Sequence, residues 1–187
     1  MKDYISNLYK VLFEFDFSGI KNSTTMPRAV LTILWTSLFL FVVKNINLGG
    51  FWGDFKFLSG MIFYLIGMYF VWFFTAIFFE FVMKIFGKAG KIRTLLTLSS
   101  YCLLPYIFIA PFELMKKFSD LGYFFGTKFE LLLFFWVILL YARSLKETYD
   151  IENSSSYMLV FLPFVTFVFS LMWVIGSIFN LGYIYNV

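Results

Sequence analysis

The sequence predicts an all-α, polytopic integral membrane protein, with a five-helix transmembrane bundle behind an N-terminal amphipathic interfacial helix. Of its 187 residues, 61% are hydrophobic and only 14% are charged, whereas about a quarter of the residues in soluble domains are charged. Stretches of about 20 apolar residues, long enough to cross a hydrocarbon core of about 30 Å, recur along the chain. We expect one transmembrane domain over residues 1–187.

The segment before the first span has the pattern of an amphipathic helix. Ile5, Leu8, Tyr9, Leu12 and Phe15 recur at helical spacing with polar residues between them. A helix lying in the plane of the membrane interface has this pattern. A short helix packed against the inner end of the bundle has it equally, so both alternatives stay open.

Five apolar stretches follow, at about 27–43, 57–83, 94–112, 129–141 and 157–179. Thr24 or Thr25 supplies an N-cap for the first, and Pro27 suits its first turn. The fourth is short unless it extends back to Tyr123. We expect Pro111 to end the third span and Pro163 to bend the fifth.

The positive charges divide unevenly between the two sides that alternating spans define. Ten lie on the side of the N-terminus: Lys2, Lys10, Lys21, Arg28, Lys84, Lys88, Lys91, Arg93, Arg143 and Lys146. Five lie on the other: Lys44, Lys56, Lys116, Lys117 and Lys128. By the positive-inside rule, the N-terminus is cytoplasmic, and an odd number of spans puts the C-terminus outside.

Several chemistries lack their usual residues. The chain has no histidine and only one cysteine, Cys102, so it lacks the commonest metal ligand and general base and forms no intramolecular disulfide. It has no nucleophile–base pair built on histidine, no phosphate-binding glycine loop and no paired carboxylates on a span. We expect no enzyme activity, no cofactor, no metal and no nucleic-acid partner.

Acidic residues within or beside the spans are few, and intramembrane charges are costly enough to suggest function. Glu80 precedes Lys84 at the favourable i, i+4 spacing. An interfacial ion pair is the favoured interpretation, and the alternative is that Glu80 reaches a polar cavity, a lipid or a substrate group. We expect Glu113 and Glu130, at span ends, to be interfacial.

The third span carries hydroxyl groups and a proline. Thr94, Thr97 and Tyr101 share one helix face, and Pro105 should bend the helix and free a carbonyl near Tyr101. Hydroxyls on a span most often bond to helix backbones. A packing role is therefore favoured over a conducting or binding role.

A basic cluster precedes the third span, formed by Lys84, Lys88, Lys91 and Arg93. It acts as a topology determinant, as a site for anionic lipid headgroups at about 1 kcal/mol per charge, or as both.

The stretch FGKAGKIRTLLTLSSYCLLPYIF, Phe86 to Phe108, resembles the central segment of the Yip (Ypt/Rab-interacting) membrane protein family, especially its bacterial members. The match includes the glycine- and lysine-containing loop and the core formed by Tyr101, Leu103, Leu104 and Pro105. The opening NLYKVLFEF is similar to the start of bacterial members, whereas the acidic motif of eukaryotic members is not evident. The resemblance implies a five-helix Yip-type fold in the bacterial cytoplasmic membrane and, for eukaryotic relatives, roles in trafficking and membrane shaping.

Two functional hypotheses follow. In the first, the protein is non-enzymatic and organises the membrane by associating with lipids, with itself or with a partner membrane protein. In the second, it is a small transporter, scramblase or channel subunit in which Glu80, Thr97, Tyr101 and Pro105 line a route.

Overall fold

The computed structural model describes residues 6, 8–23, 25–45, 55–88, 90–163 and 165, and this part is helical without strands. Four of its helical stretches are long and apolar enough to cross a membrane: Met26–Asn45, Phe57–Ile85, Ile92–Lys116 and Asp120–Tyr149. The predicted all-α, multi-pass membrane fold is confirmed. The predicted fifth span, 157–179, begins within a helix over 153–163, and its residue 164 and the part from 166 onward lie outside the described residues.

The helices follow one another with short connections. A π-helical turn, Lys10–Glu14, precedes α1 (Ser18–Ser23), α2 (Met26–Asn45) and α3 (Phe55–Ile85). The third span is composite: α4 (Ile92–Ser99), a 3-10 helix (Ser100–Ile109) and α5 (Ala110–Lys116). The next helix is α6 (Asp120–Tyr149), and α7 denotes the helix over 153–163.

The third span lies at the centre of the described bundle. Of its most apolar window, 61% is buried, against 17% for the windows in α3 and α6. Its residues contribute to all three apolar clusters of the core, through Leu95 and Leu96, then Leu98 and Tyr101, then Ile109. The outer faces of α3 and α6 instead expose large apolar side chains, as lipid contact requires.

The long 3-10 helix has its cause in Pro105. Proline lacks the N–H of a normal helical hydrogen bond, and its ring crowds the carbonyl four residues back, so the helix winds more tightly over Ser100–Ile109. Hydroxyls near its start bond to the backbone of the same span. Thr97 donates to the Arg93 carbonyl, and Ser100 donates to the Thr97 carbonyl at 2.8 Å.

The N-terminal segment packs into the bundle, which is the second of the two alternatives left open by its sequence. Val11, Phe17 and Ile20 are buried against the third span and α6, and the Trp136 indole N–H donates to the Leu12 carbonyl at 3.2 Å. Tyr9 and Phe13 remain exposed on the other side of the segment. One side therefore packs against the protein, and the other side exposes aromatic rings.

The fourth span differs most from its predicted bounds. The apolar run suggested 129–141, whereas α6 covers Asp120–Tyr149. The charges that interrupt the run have partners: Lys128 lies over the Phe124 ring, 5.5 Å from its centroid, and Glu130 accepts hydrogen bonds from Lys44 at 3.0 Å and Lys116 at 2.7 Å. Paired charges are much less costly in a span than isolated ones.

Candidate functional site at the basic end of the bundle

The basic end of the bundle is the end at which Lys21, Lys84, Lys88, Lys91 and Arg93 lie. Glu80, five residues before the end of α3, is the acid that organises it. One carboxylate oxygen accepts a hydrogen bond from the Gly90 N–H, and the other accepts one from the Tyr149 hydroxyl. Glu80 thus connects α3 to the loop between α3 and α4, which is called the loop below, and to the last residue of α6.

The predicted ion pair between Glu80 and Lys84 is absent from the described residues. Tyr149 is 2% exposed, and a buried hydroxyl needs a partner more than a solvated ammonium does. Gly90 has φ of +93°, a conformation that favours glycine and aims its N–H at the carboxylate. These donors explain why Glu80 turns toward the protein.

Asp150, which caps the C-terminus of α6, contacts three lysines. Its carboxylate accepts a hydrogen bond from Lys91 at 3.0 Å and lies 3.7 Å from the Lys21 ammonium. Its backbone carbonyl accepts one from Lys88 at 3.2 Å. The hydrogen bond from Lys91, followed by the positive charges of Lys21 and Lys91, lowers the pKa of Asp150 below its ordinary value. Cations here also complement the negative end of the helix dipole.

The four residues of the predicted basic cluster therefore differ in their surroundings. Lys88 and Lys91 contact the end of α6. Lys84 and Arg93 are exposed and form no ion pair within the described part of the chain. The cluster is thus split between fastening the loop and presenting free positive charge.

A cleft of about 510 Å³ opens beside this cluster, between the end of α3, the loop and α7. Its lining is mostly apolar and includes four polar or charged residues, which we call the rim. The apolar lining comprises Met83, Phe86, Ile151, Met158, Leu159 and Leu162, and the rim comprises Lys88, Asp150, Glu152 and Ser155. The volume is within the range of about 300–1,000 Å³ that small-molecule sites have.

The predicted polar face of the third span lies elsewhere. Tyr101 is fully buried among Val11, Phe17 and Leu140, while Thr97 and Pro105 are buried and Thr94 is partly exposed. The structure does not bring these residues to Glu80 or to the cleft.

A second charged group lies at the opposite end of the bundle. Lys116 donates to Glu113 at 2.8 Å and to Glu130 at 2.7 Å, and Glu130 also accepts from Lys44 at 3.0 Å. Two lysines thus balance two glutamates, and α2, α5 and α6 are joined. All four charged side chains have their ion-pair partners within the group, which is typical of a structural network.

Sequence reasoning missed Tyr149, Asp150, Glu152 and Lys21 as parts of the site. The loop after the fourth span had the composition of a solvated connector, and the Lys91–Asp150 pair joins residues 59 positions apart. The only usable signal was the acidic character of this loop, which complements the basic cluster.

Comparisons with known proteins give one match. The model of a family described as the Yip1 domain matches residues 17–175, which covers most of the chain. No curated protein and no solved structure matches.

Proposed function

This chain belongs to the Yip1 domain family, and from that premise we propose that it is a non-enzymatic, multi-pass membrane protein that organises the membrane by binding lipids and membrane proteins. In this proposal the basic end is cytoplasmic, as the distribution of positive charge favours. Lipid binding takes place in the cleft between α3, the loop and α7.

The cleft is the observation that carries the proposal. Its mostly apolar lining and its few polar and charged residues match a molecule with a hydrocarbon tail and a charged head, and ligand sites commonly combine apolar walls with few polar groups. Lys88 lies on its rim, and Lys84 and Arg93 lie nearby in sequence without ion-pair partners within the described ranges. Such near-surface cations attract lipid headgroups.

Association with other membrane proteins has a separate basis. The outward face of α3 exposes a run of aromatic side chains, including Phe63, Phe70 and Phe74. In a bilayer this face contacts lipid or another helix, and the stacked pair Phe70–Phe74, with centroids 4.0 Å apart, offers a shaped surface to either.

The alternative, a transporter, scramblase or channel subunit, has less support. Glu80, Thr97, Tyr101 and Pro105 do not line the clefts of about 510, 690 and 740 Å³ in the described bundle. A cleft of about 740 Å³ between α3 and α6 is walled mainly by aromatic and aliphatic side chains, which suits hydrocarbon better than water. Flux in proteoliposomes that changes with Tyr101→Phe or Glu80→Gln would favour this alternative.

Lipid retention tests the proposal. Met158 lines the cleft, whereas Leu121 lies at the opposite end, and each is 70% exposed. We expect Met158→Trp to lower the amount of phospholipid that co-purifies in mild detergent, because the larger ring fills the cleft. Leu121→Trp is the matched control and should leave retention unchanged. Equal retention by both variants and the wild type would contradict a lipid site in the cleft.

A further inference from the structure

The rim of the cleft carries one positive and one negative charge, neither of which forms an ion pair with another residue in the described part of the chain. The Lys88 ammonium donates to the backbone carbonyl of Asp150, a neutral acceptor that leaves its charge uncompensated. Glu152 is exposed and forms no ion pair with any other described residue. Both side chains belong to the lining of the same cleft.

The third charged residue of the rim does not change this balance. The Asp150 carboxylate is held by Lys91 and Lys21, so it is already compensated by cations outside the cleft. What the rim offers to a ligand is therefore an ammonium from Lys88 and a carboxylate from Glu152, together with the Ser155 hydroxyl.

This pair of charges selects among lipid headgroups. A headgroup with only negative charge gains from Lys88 but is repelled by Glu152. A zwitterionic headgroup places its phosphate at Lys88 and its cation at Glu152, so both charges are paired. A primary ammonium donates N–H hydrogen bonds to a carboxylate, whereas a quaternary ammonium has none and depends on aromatic cages. The described lining has one aromatic residue, Phe86.

We propose that the cleft binds a phospholipid with a phosphoethanolamine headgroup, its phosphate at Lys88 and Ser155, its ammonium at Glu152, and an acyl chain along Met83 and Leu159. This inference rests on the proposed function, since it names the lipid for the same site. It requires no change in the fastening of the loop by Asp150.

The test is a competition between lipids. The full-length protein is reconstituted in vesicles of equal parts phosphatidylethanolamine, phosphatidylglycerol and phosphatidylcholine, extracted in mild detergent, and its retained lipids are counted by mass spectrometry. We expect phosphatidylethanolamine to be enriched over both others by up to about fivefold, since an exposed ion pair contributes up to about 1 kcal/mol and 1.4 kcal/mol is tenfold.

Two variants locate the effect. Glu152→Gln should remove the enrichment over phosphatidylglycerol, and Lys88→Gln should lower retention of all three phospholipids. Glu147→Gln is the matched control, because this acid lies at the same end of the bundle but outside the cleft lining. It should retain the wild-type ratio.

The outcomes separate the two proposals. Retained lipid in the bulk ratio, equal enrichment of phosphatidylcholine, or a Glu152→Gln variant with undiminished preference would overturn the headgroup assignment alone. Equal phospholipid retention by the wild type and Met158→Trp would contradict the lipid site itself, and with it the proposed function.

Discussion

Replacing Tyr149 with phenylalanine isolates the contact that fastens α6 to α3. The change deletes the hydroxyl that donates to Glu80 and leaves the ring in place. A hydrogen bond to a charged group contributes about 1.5–3 kcal/mol, and solvent at the partly exposed Glu80 offsets some of it, so we expect a loss of about 1–3 kcal/mol. At about 2–4 °C per kcal/mol for a chain of this size, the unfolding midpoint should fall by roughly 2–12 °C.

The assay is thermal unfolding in detergent, followed by intrinsic fluorescence. Tyr149→Phe is combined with Glu80→Gln, because a double-mutant cycle measures the coupling between residues in contact. We expect the loss in the double variant to be smaller than the sum of the single losses. The control is Tyr123→Phe, at an exposed tyrosine near the other end of the bundle, and its midpoint should match the wild type.

The competing arrangement gives the opposite pattern. If Glu80 paired with Lys84, then Lys84→Gln would lower the midpoint and Tyr149→Phe would not. That result would refute the fastening of α3 to α6 through Glu80.

Three further predictions follow from local geometry. Because the pKa of Asp150 is lower in the folded protein, its contribution to stability is present at neutral pH and lost as the pH falls below about 4; Asp150→Asn should weaken this acid dependence in pH-resolved unfolding. Gly122→Ala should strongly lower the unfolding midpoint, since its Cβ would lie 2.1 Å from a backbone oxygen of α5, whereas Gly67→Ala, whose Cβ would meet nothing within 4 Å, should stabilise the protein by about 0.5–1 kcal/mol. Equal midpoints for the two variants would contradict this packing. Trp136→Phe removes the hydrogen bond to the Leu12 carbonyl, so amide exchange in the N-terminal segment should become faster, and unchanged exchange would argue against its docking.

The long apolar helices were largely predictable from the sequence because their signal is local. A stretch of apolar residues of membrane length predicts a helix whatever its neighbours are, and the predicted first three spans lie close to Met26–Asn45, Phe57–Ile85 and Ile92–Lys116. The bounds of the fourth span were harder to predict, because a charged residue such as Glu130 indicates the end of a span unless its lysine partners on other helices are known.

The candidate site was less predictable because its contacts are long-range. The sequence singled out Glu80 and Lys91, but nothing local indicated that their partners are Tyr149 and Asp150. The pattern favoured Lys84 for Glu80 because hydrogen bonding across helices cannot be read from spacing along one of them.

The structure around the hydroxyls of the third span was predictable only in part. Pro105 predicted an altered helix, and the structure has a 3-10 helix there. That Tyr101 packs against the N-terminal segment could not be anticipated, because an amphipathic stretch gives no indication of which surface it covers.

Photo-crosslinking tests the central claim, a lipid site in the cleft at the basic end, most directly. Phosphatidylethanolamine with a photoreactive group in its acyl chain is incorporated with the wild-type protein into vesicles, and the labelled peptides are identified after irradiation. We predict preferential labelling of the peptides that contain Met83 and Leu159, and its loss in Met158→Trp. Labelling spread evenly over the exposed faces of α3 and α6, and unchanged in that variant, would contradict the claim.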